Sequence, residues 1–162
     1  MFASNTSTLV LLAKISCLET FLQLAQPVVI PRQVKEEALF EKETYYARLI
    51  NKLLMEGKIT LGEADNNKIK KIMMVFRLDL GEAAAYSLFD FAKHNALLTD
   101  DGELIKLCRL ERITFICIMA VVVGLYELNK LSKAEALEKL RILREIGRYS
   151  QSIYEHFKSE VK

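Results

Sequence analysis

The chain has 162 residues, 51% hydrophobic and 27% charged, which is enough to bury one ordinary core and too apolar for a disordered tail or a stapled miniature scaffold. Six glycines and two prolines leave few helix-breaking positions, so a helix-rich protein is expected. A formal charge of +2, from 23 basic against 21 acidic residues, is too small to hold nucleic acid by overall charge, and any such contact must be local.

Short β-rich runs alternate with longer helical patterns, the arrangement of parallel strands joined by crossover helices. Met1 to Ser4 reads as a first strand. A helical stretch follows in which Leu9, Leu12, Ala13, Leu18, Phe21, Leu22 and Leu24 share an apolar face. Pro27 to Ile30 reads as the second strand, and Pro31 then sits in the first turn of a helix opened by Val34, Ala38 and Leu39. That helix, or a pair, runs through Tyr45-Tyr46 to Met55 and is closed by Gly57. Lys58 to Leu61 is expected as a short strand, Ala64 to Leu78 as a helix, and Gly81 to His94 as an alanine-rich helix. Ala96 to Thr99 reads as a strand ended by the Asp100-Asp101-Gly102 turn. Glu103 to Leu110 reads as a helix, Ile113 to Cys117 as a strand, and Ala120 to Leu128 as a buried helix. Two amphipathic helices, Ser132 to Ile146 and Ser150 to Val161, finish the chain. The expected fold is one domain over residues 1–162, a three-layer α/β/α sandwich around a mainly parallel four- to five-stranded sheet. Its helical C-terminal extension begins near residue 130.

Cys17, Cys108 and Cys117 form no CxxC pair and are odd in number, which argues against a disulfide framework or a cysteine zinc site and fits a reducing cytoplasm. Met1 to Leu12 lacks a basic segment before its apolar stretch and does not read as a signal peptide. The apolar run Ile113 to Tyr126 is shorter than the ~20 residues a spanning helix needs, so it is expected in the core and no membrane partner is expected.

Open parallel sheets bind ligands at the carboxyl ends of their strands, and polar groups collect there. Asn5-Thr6-Ser7 follows the first strand, Glu36-Glu37 lies in the helix after the second, and Thr99-Asp100-Asp101 follows the fourth. Glu82, behind Gly81, opens the alanine-rich helix that feeds that last strand. Carboxylates drawn together repel, and a hard, oxygen-seeking divalent cation relieves them, so Mg²⁺ or Mn²⁺ is implied. Each element also has a plainer reading. Asn5-Thr6-Ser7 suits a helix N-cap, Asp100 with Glu103 a capping box, Glu82 a favourable first-turn charge, and Glu36 and Glu37 a solvated face. His94 and His156 lie in text without a catalytic signature and read as structural.

The order and spacing of these elements resemble the PIN-domain family of metal-dependent ribonucleases, the fold of VapC-type toxins. The matching text is Ala3-Ser-Asn-Thr-Ser7 leading into Leu9 to Ile15, Val29-Ile-Pro31 with Val34 and Glu37, Leu78-Asp-Leu-Gly-Glu82 with Ala83 to Ala85, and Leu97-Leu-Thr-Asp-Asp101. Arg144-Glu-Ile-Gly147 and Ser150 to Phe157 look like the tail of one branch of predicted nucleases. The resemblance implies metal ligands at Asn5, Glu37, Glu82 and Asp101, with Asp100 as the alternative beside Asp101. It implies catalytic roles for Glu37, Glu82 and Asp101 or Asp100, with the hydroxyls of Thr6, Ser7 and Thr99 in support. The implied reaction is hydrolysis of RNA phosphodiesters by water that one or two Mg²⁺ or Mn²⁺ ions activate, with no protein nucleophile.

Asn5 stands where most active relatives carry aspartate, and its amide oxygen ligates without adding charge, so Mg²⁺ binding should be weaker. The alternative is therefore a catalytically weak or inactive PIN fold that binds RNA or protein. A third reading, a generic α/β domain whose acidic elements are caps, would leave Glu37, Glu82 and Asp101 far apart. Lys68, Lys70 and Lys71, with Arg109 and Arg112, are candidate phosphate contacts that would guide RNA without reading its sequence. The apolar stripes of Tyr45, Tyr46, Leu49, Leu53 and Leu54, then Met73 to Phe76, read as core, as a homodimer surface, or as a groove for the helix of an inhibitory antitoxin. The expected protein is a cytoplasmic metal-dependent endoribonuclease and homodimer, the toxin of a toxin–antitoxin pair being one form of it.

Overall fold

The computed structural model describes residues 1–25 and 27–162. Its strands are β1 (Phe2–Ser4), β2 (Val28–Pro31), β3 (Ile59–Gly62), β4 (Ala96–Leu98) and β5 (Phe115–Ile116). They form one parallel sheet in the order β3-β2-β1-β4-β5. β2 and β4 are buried along their whole length, and their continuous Val, Ile, Leu and Ala text suits strands covered by helices on both faces. From β1 the chain builds outward to β2 and β3, then returns to the other side of β1 for β4 and β5. The winding thus reverses between β1 and β4, and such a switch point opens a crevice at the carboxyl ends of the two strands.

The helices are α1 (Thr6–Lys14), α2 (Leu18–Leu24), α3 (Arg32–Ala38), α4 (Tyr45–Met55), α5 (Asn66–Val75), α6 (Leu80–Leu88), α7 (Gly102–Leu110), α8 (Ile118–Glu127), α9 (Lys133–Ile146) and α10 (Gln151–Glu160). α1 packs on α3, α4 and α8, while α6 packs on α5, α7, β1 and β2 and also reaches α3. The result is the expected α/β/α sandwich. Leu9, Leu12, Leu22, Ile30, Leu97 and Leu107 are fully buried in its core, each worth about 1.5–3 kcal/mol of transfer free energy. α9 and α10 pack on α8.

Several elements differ from the sequence expectation. The stretch from Leu9 to Leu24 is two helices meeting at 113°. The break falls at Ser16, whose φ of 56° ends α1 in a left-handed turn. The alanine-rich helix stops at Leu88 and does not reach His94. There the Asp90 side chain accepts from Ala92 N at 2.8 Å and Asp90 N donates to His94 Nδ1 at 2.9 Å, a local bonding set that competes with helix. Pro31 ends β2 and occupies the N-cap position of α3 instead of its first turn. The apolar stripes divide: Leu49 and Leu53 are buried, whereas Tyr45, Met74 and Val75 are exposed.

Candidate active site

β1 ends at Ser4 and α1 begins at Thr6, so the chain turns at Asn5, which is only 1% exposed. Its Oδ1 accepts from Thr8 N at 3.2 Å and from the Ser7 hydroxyl at 3.4 Å. A backbone N–H only donates, so this bond sets which way the amide faces. Nδ2 then donates to Thr99 Oγ1 at 3.1 Å, which also accepts from Asp101 N at 3.1 Å. The carboxyl ends of β1 and β4 are thereby joined across the switch point. Ser4, Asn5, Thr8 and Thr99, all fully or almost fully buried, lie at these two strand ends.

Two carboxylates lie at the starts of the helices there, Glu82 in the first turn of α6 and Asp101 at the N-cap of α7. Asp101 is the N-cap of α7, its Oδ1 accepting from Leu104 N at 2.7 Å. Glu82 forms a capping box with Asp79: its Oε2 accepts from Asp79 N at 2.9 Å, and Asp79 Oδ1 accepts from Glu82 N at 2.8 Å. The negative charge of Asp101 is near enough to act on the Glu82 carboxyl. Loss of water pushes the Glu82 carboxyl up from 4.5 to about 7, aided by the negative charges of Asp79 and Asp101 and opposed by its bond to Asp79 N.

The exposed Glu37, in the last turn of α3, accepts from the Thr6 hydroxyl at 2.5 Å. Its carboxylate lies against the backbone of Gly81, in the space a side chain there would fill. That approach draws α3 to the start of α6, one residue from Glu82. Glu36 points elsewhere and pairs with Arg32 at 2.8 Å.

Asp100 and Asp101 are adjacent in sequence and serve different neighbours. Both carboxylate oxygens of Asp100 accept from Ile118 N, at 3.2 and 3.3 Å, and Oδ1 also accepts from the Tyr149 hydroxyl at 2.7 Å. Burial pushes its carboxyl up to about 6, against the lowering effect of Tyr149 and Ile118. The expected capping box of Asp100 with Glu103 is not formed, because α7 starts one residue later and Asp101 is its cap. His94 is buried against Asp90, and His156 is exposed on α10.

A family model described as a PIN domain matches residues 1–162. The chain belongs to the PIN-domain family. No curated protein and no solved structure matches it. PIN domains are generally nucleases and typically use divalent metal ions.

Among the described residues, no three His, Cys, Asp or Glu side chains surround a single point at ion-holding distance, and Glu37 is turned onto Thr6. The donor set nevertheless fits a hard cation. It is oxygen only, and its centre is the desolvated Glu82 carboxyl, on which the nearby charges of Asp79 and Asp101 are both negative, the arrangement a divalent ion relieves. Asn5 adds an uncharged amide whose oxygen already caps α1.

The expected phosphate contacts of this PIN domain separate into two places. Lys68, Lys70 and Lys71 lie on α5, packed against α6, and Lys68 Nζ stands 4.6 Å from the centre of the Tyr86 ring. α7 leaves the site at Asp101 and carries Arg109 about 12 Å along its axis, where the guanidinium stacks over Phe115 at 5.6 Å. Nearness in sequence is undone by the helix between. Sequence reasoning missed Asp79, although the Asp79-x-x-Glu82 spacing is a capping-box signal, and Tyr149, for which no local signal exists. Among the described residues no single helix is long and apolar enough to cross a membrane.

Proposed function

We propose that this PIN domain is a Mg²⁺- or Mn²⁺-dependent endoribonuclease whose centre is the Glu82–Asp101 pair, with Glu37 as the third carboxylate. What supports this reading is the placing of Asp101 at the N-cap of α7 and of Glu82 in the first turn of α6, with burial and the nearby charges of Asp79 and Asp101 raising Glu82 to about 7. A helix cap occupies one oxygen of each carboxyl, and the other oxygen would be the one offered to the ion. A divalent ion, when bound, supplies a Lewis acid that activates water and neutralises charge at the scissile phosphate. Glu82 and Asp101 would hold it, with Glu37 as the third carboxylate. Asn5 and Thr99 keep the two strand ends in register beneath. Lys68, Lys70 and Lys71 on α5 guide the RNA backbone.

The saturated amide of Asn5 favours a second reading, a weak or inactive PIN fold that binds RNA or protein, since it contributes no charge to the ion. The exposed Phe40, Tyr45, Met55, Met74 and Val75 support a second copy of the chain or the apolar helix of an antitoxin as a partner. The buried free cysteines Cys17 and Cys108 accord with a cytoplasmic setting. Mn²⁺ calorimetry separates the two readings: binding that Asp101→Asn weakens supports the nuclease, and no heat at millimolar Mn²⁺ favours the binding module.

A further inference from the structure

We propose that Tyr149, in the turn between α9 and α10, is a positioning residue that holds the site's β4–α7 loop, acting through Asp100; the consequence for metal binding rests on the nuclease reading above.

The C-terminal helices pack on α8 and bring none of the proposed carboxylates, yet their turn reaches the site. The Tyr149 hydroxyl donates to Asp100 Oδ1 at 2.7 Å, bridging 49 residues of chain. The ring is seated firmly: it fills the space that a side chain on Gly147 would take, beside the Leu143 carbonyl. Asp100 also accepts from Ile118 N, the first amide of α8. It is therefore tied at once to the start of α8 and to the C-terminal turn, and has little freedom left.

The next residue is Asp101. Its N–H donates to Thr99 Oγ1, and Thr99 accepts from Asn5. The three-residue loop is thus held from below by Asn5, through Thr99, and from the side by Tyr149, through Asp100. The Asp101 side chain accepts from Leu104 N, which fixes the start of α7 but not where the loop places it relative to Glu82. That placement is set by the two neighbours, and one of the two is anchored by the C-terminal extension. A PIN domain trimmed of that extension would keep all its carboxylates and lose one wall of the loop.

The test is amide hydrogen exchange on the full chain without metal, comparing wild type, Tyr149→Phe, Asp100→Ala and the double variant. Tyr149→Phe keeps the ring seated on Gly147 and removes only the hydroxyl. Protection at Asp101 and Leu104 is expected to fall about tenfold, the scale of one hydrogen bond to a charged group, while Leu140 and Leu143 in α9 are unchanged. In the Asp100→Ala background, Tyr149→Phe should add nothing, because its acceptor is gone. Unchanged protection at Asp101 and Leu104, or a loss spread equally over α9, overturns the inference. Mn²⁺ calorimetry on the same proteins is expected to show weaker binding by Tyr149→Phe. A wild type that binds no Mn²⁺ refutes the nuclease reading, and the exchange result still decides the role of Tyr149.

Discussion

Replacing Glu82 by Gln should stabilise the protein while disabling it. The Glu82 carboxyl is raised from 4.5 to about 7 by desolvation and by Asp79 and Asp101. An acid whose folded pKa is raised binds its proton more tightly in the folded state, so stability falls as pH rises from 4.5 to about 7 and stays low above that. At 1.36 kcal/mol per pH unit the rise corresponds to about 3 kcal/mol. The group is half exposed, and screening by water reduces this to on the order of 1–2 kcal/mol. Gln removes the charge and keeps the capping box, since its side-chain oxygen still accepts from Asp79 N. Melting of Glu82→Gln at pH 8 should therefore lie about 3–6 °C above wild type for a chain of this size, and the difference should vanish near pH 4. Mn²⁺ should raise the wild-type melting temperature and leave the variant unmoved. A variant less stable than wild type at pH 8, or a difference that does not depend on pH, would refute the reasoning.

Asp101→Asn preserves an N-cap of equal quality, so its stability should change by less than about 0.5 kcal/mol while RNA cleavage is lost in a fluorescence assay. Asp100→Ala should do the reverse in thermal melts: it leaves Ile118 N–H and the Tyr149 hydroxyl without an acceptor, at about 1–3 kcal/mol. Asn5→Asp supplies the missing charge at a buried position, and Mn²⁺ affinity measured by calorimetry should rise at least about tenfold, since one added charge at reduced dielectric is worth more than at the surface. Gly81→Ala drives the Glu37 carboxylate out of its seat. The helix gains up to about 1 kcal/mol from alanine, so cleavage should fall in a protein that melts no lower than wild type.

Much of the fold was legible because its strands are short apolar runs bounded by Pro27 and Pro31 or by Asn95 and Asp100, and because their alternation with helices dictates a parallel sheet. The breaks at Ser16 and Leu88 were not, since each depends on a local turn whose bonds compete with an otherwise continuous helical text. At the site, the residues that opened or closed an element were readable: Asn5, Glu82 and Thr99 stand where strand-end logic puts them. What adjacent letters did not reveal is direction. Asp100 and Asp101 look equivalent in sequence, and only the packing of α8 and the turn at Tyr149 sends the first away from Glu82. The same limit applies to Arg109 and Arg112, close to Asp101 along the chain and carried off by α7, and to Tyr149, whose partner lies far away in sequence.

The central claim is that Glu82 and Asp101 hold an ion with which this PIN domain cuts RNA. Its most direct test is cleavage of a fluorescence-quenched single-stranded RNA set by wild type and Asp101→Asn, with Mn²⁺, Mg²⁺ or EDTA. Cleavage is expected to need the metal, to stop in EDTA and to be abolished by Asp101→Asn. Cleavage that persists in EDTA, or that Asp101→Asn leaves intact, would contradict it, as would a wild type that cuts none of the substrates with either metal.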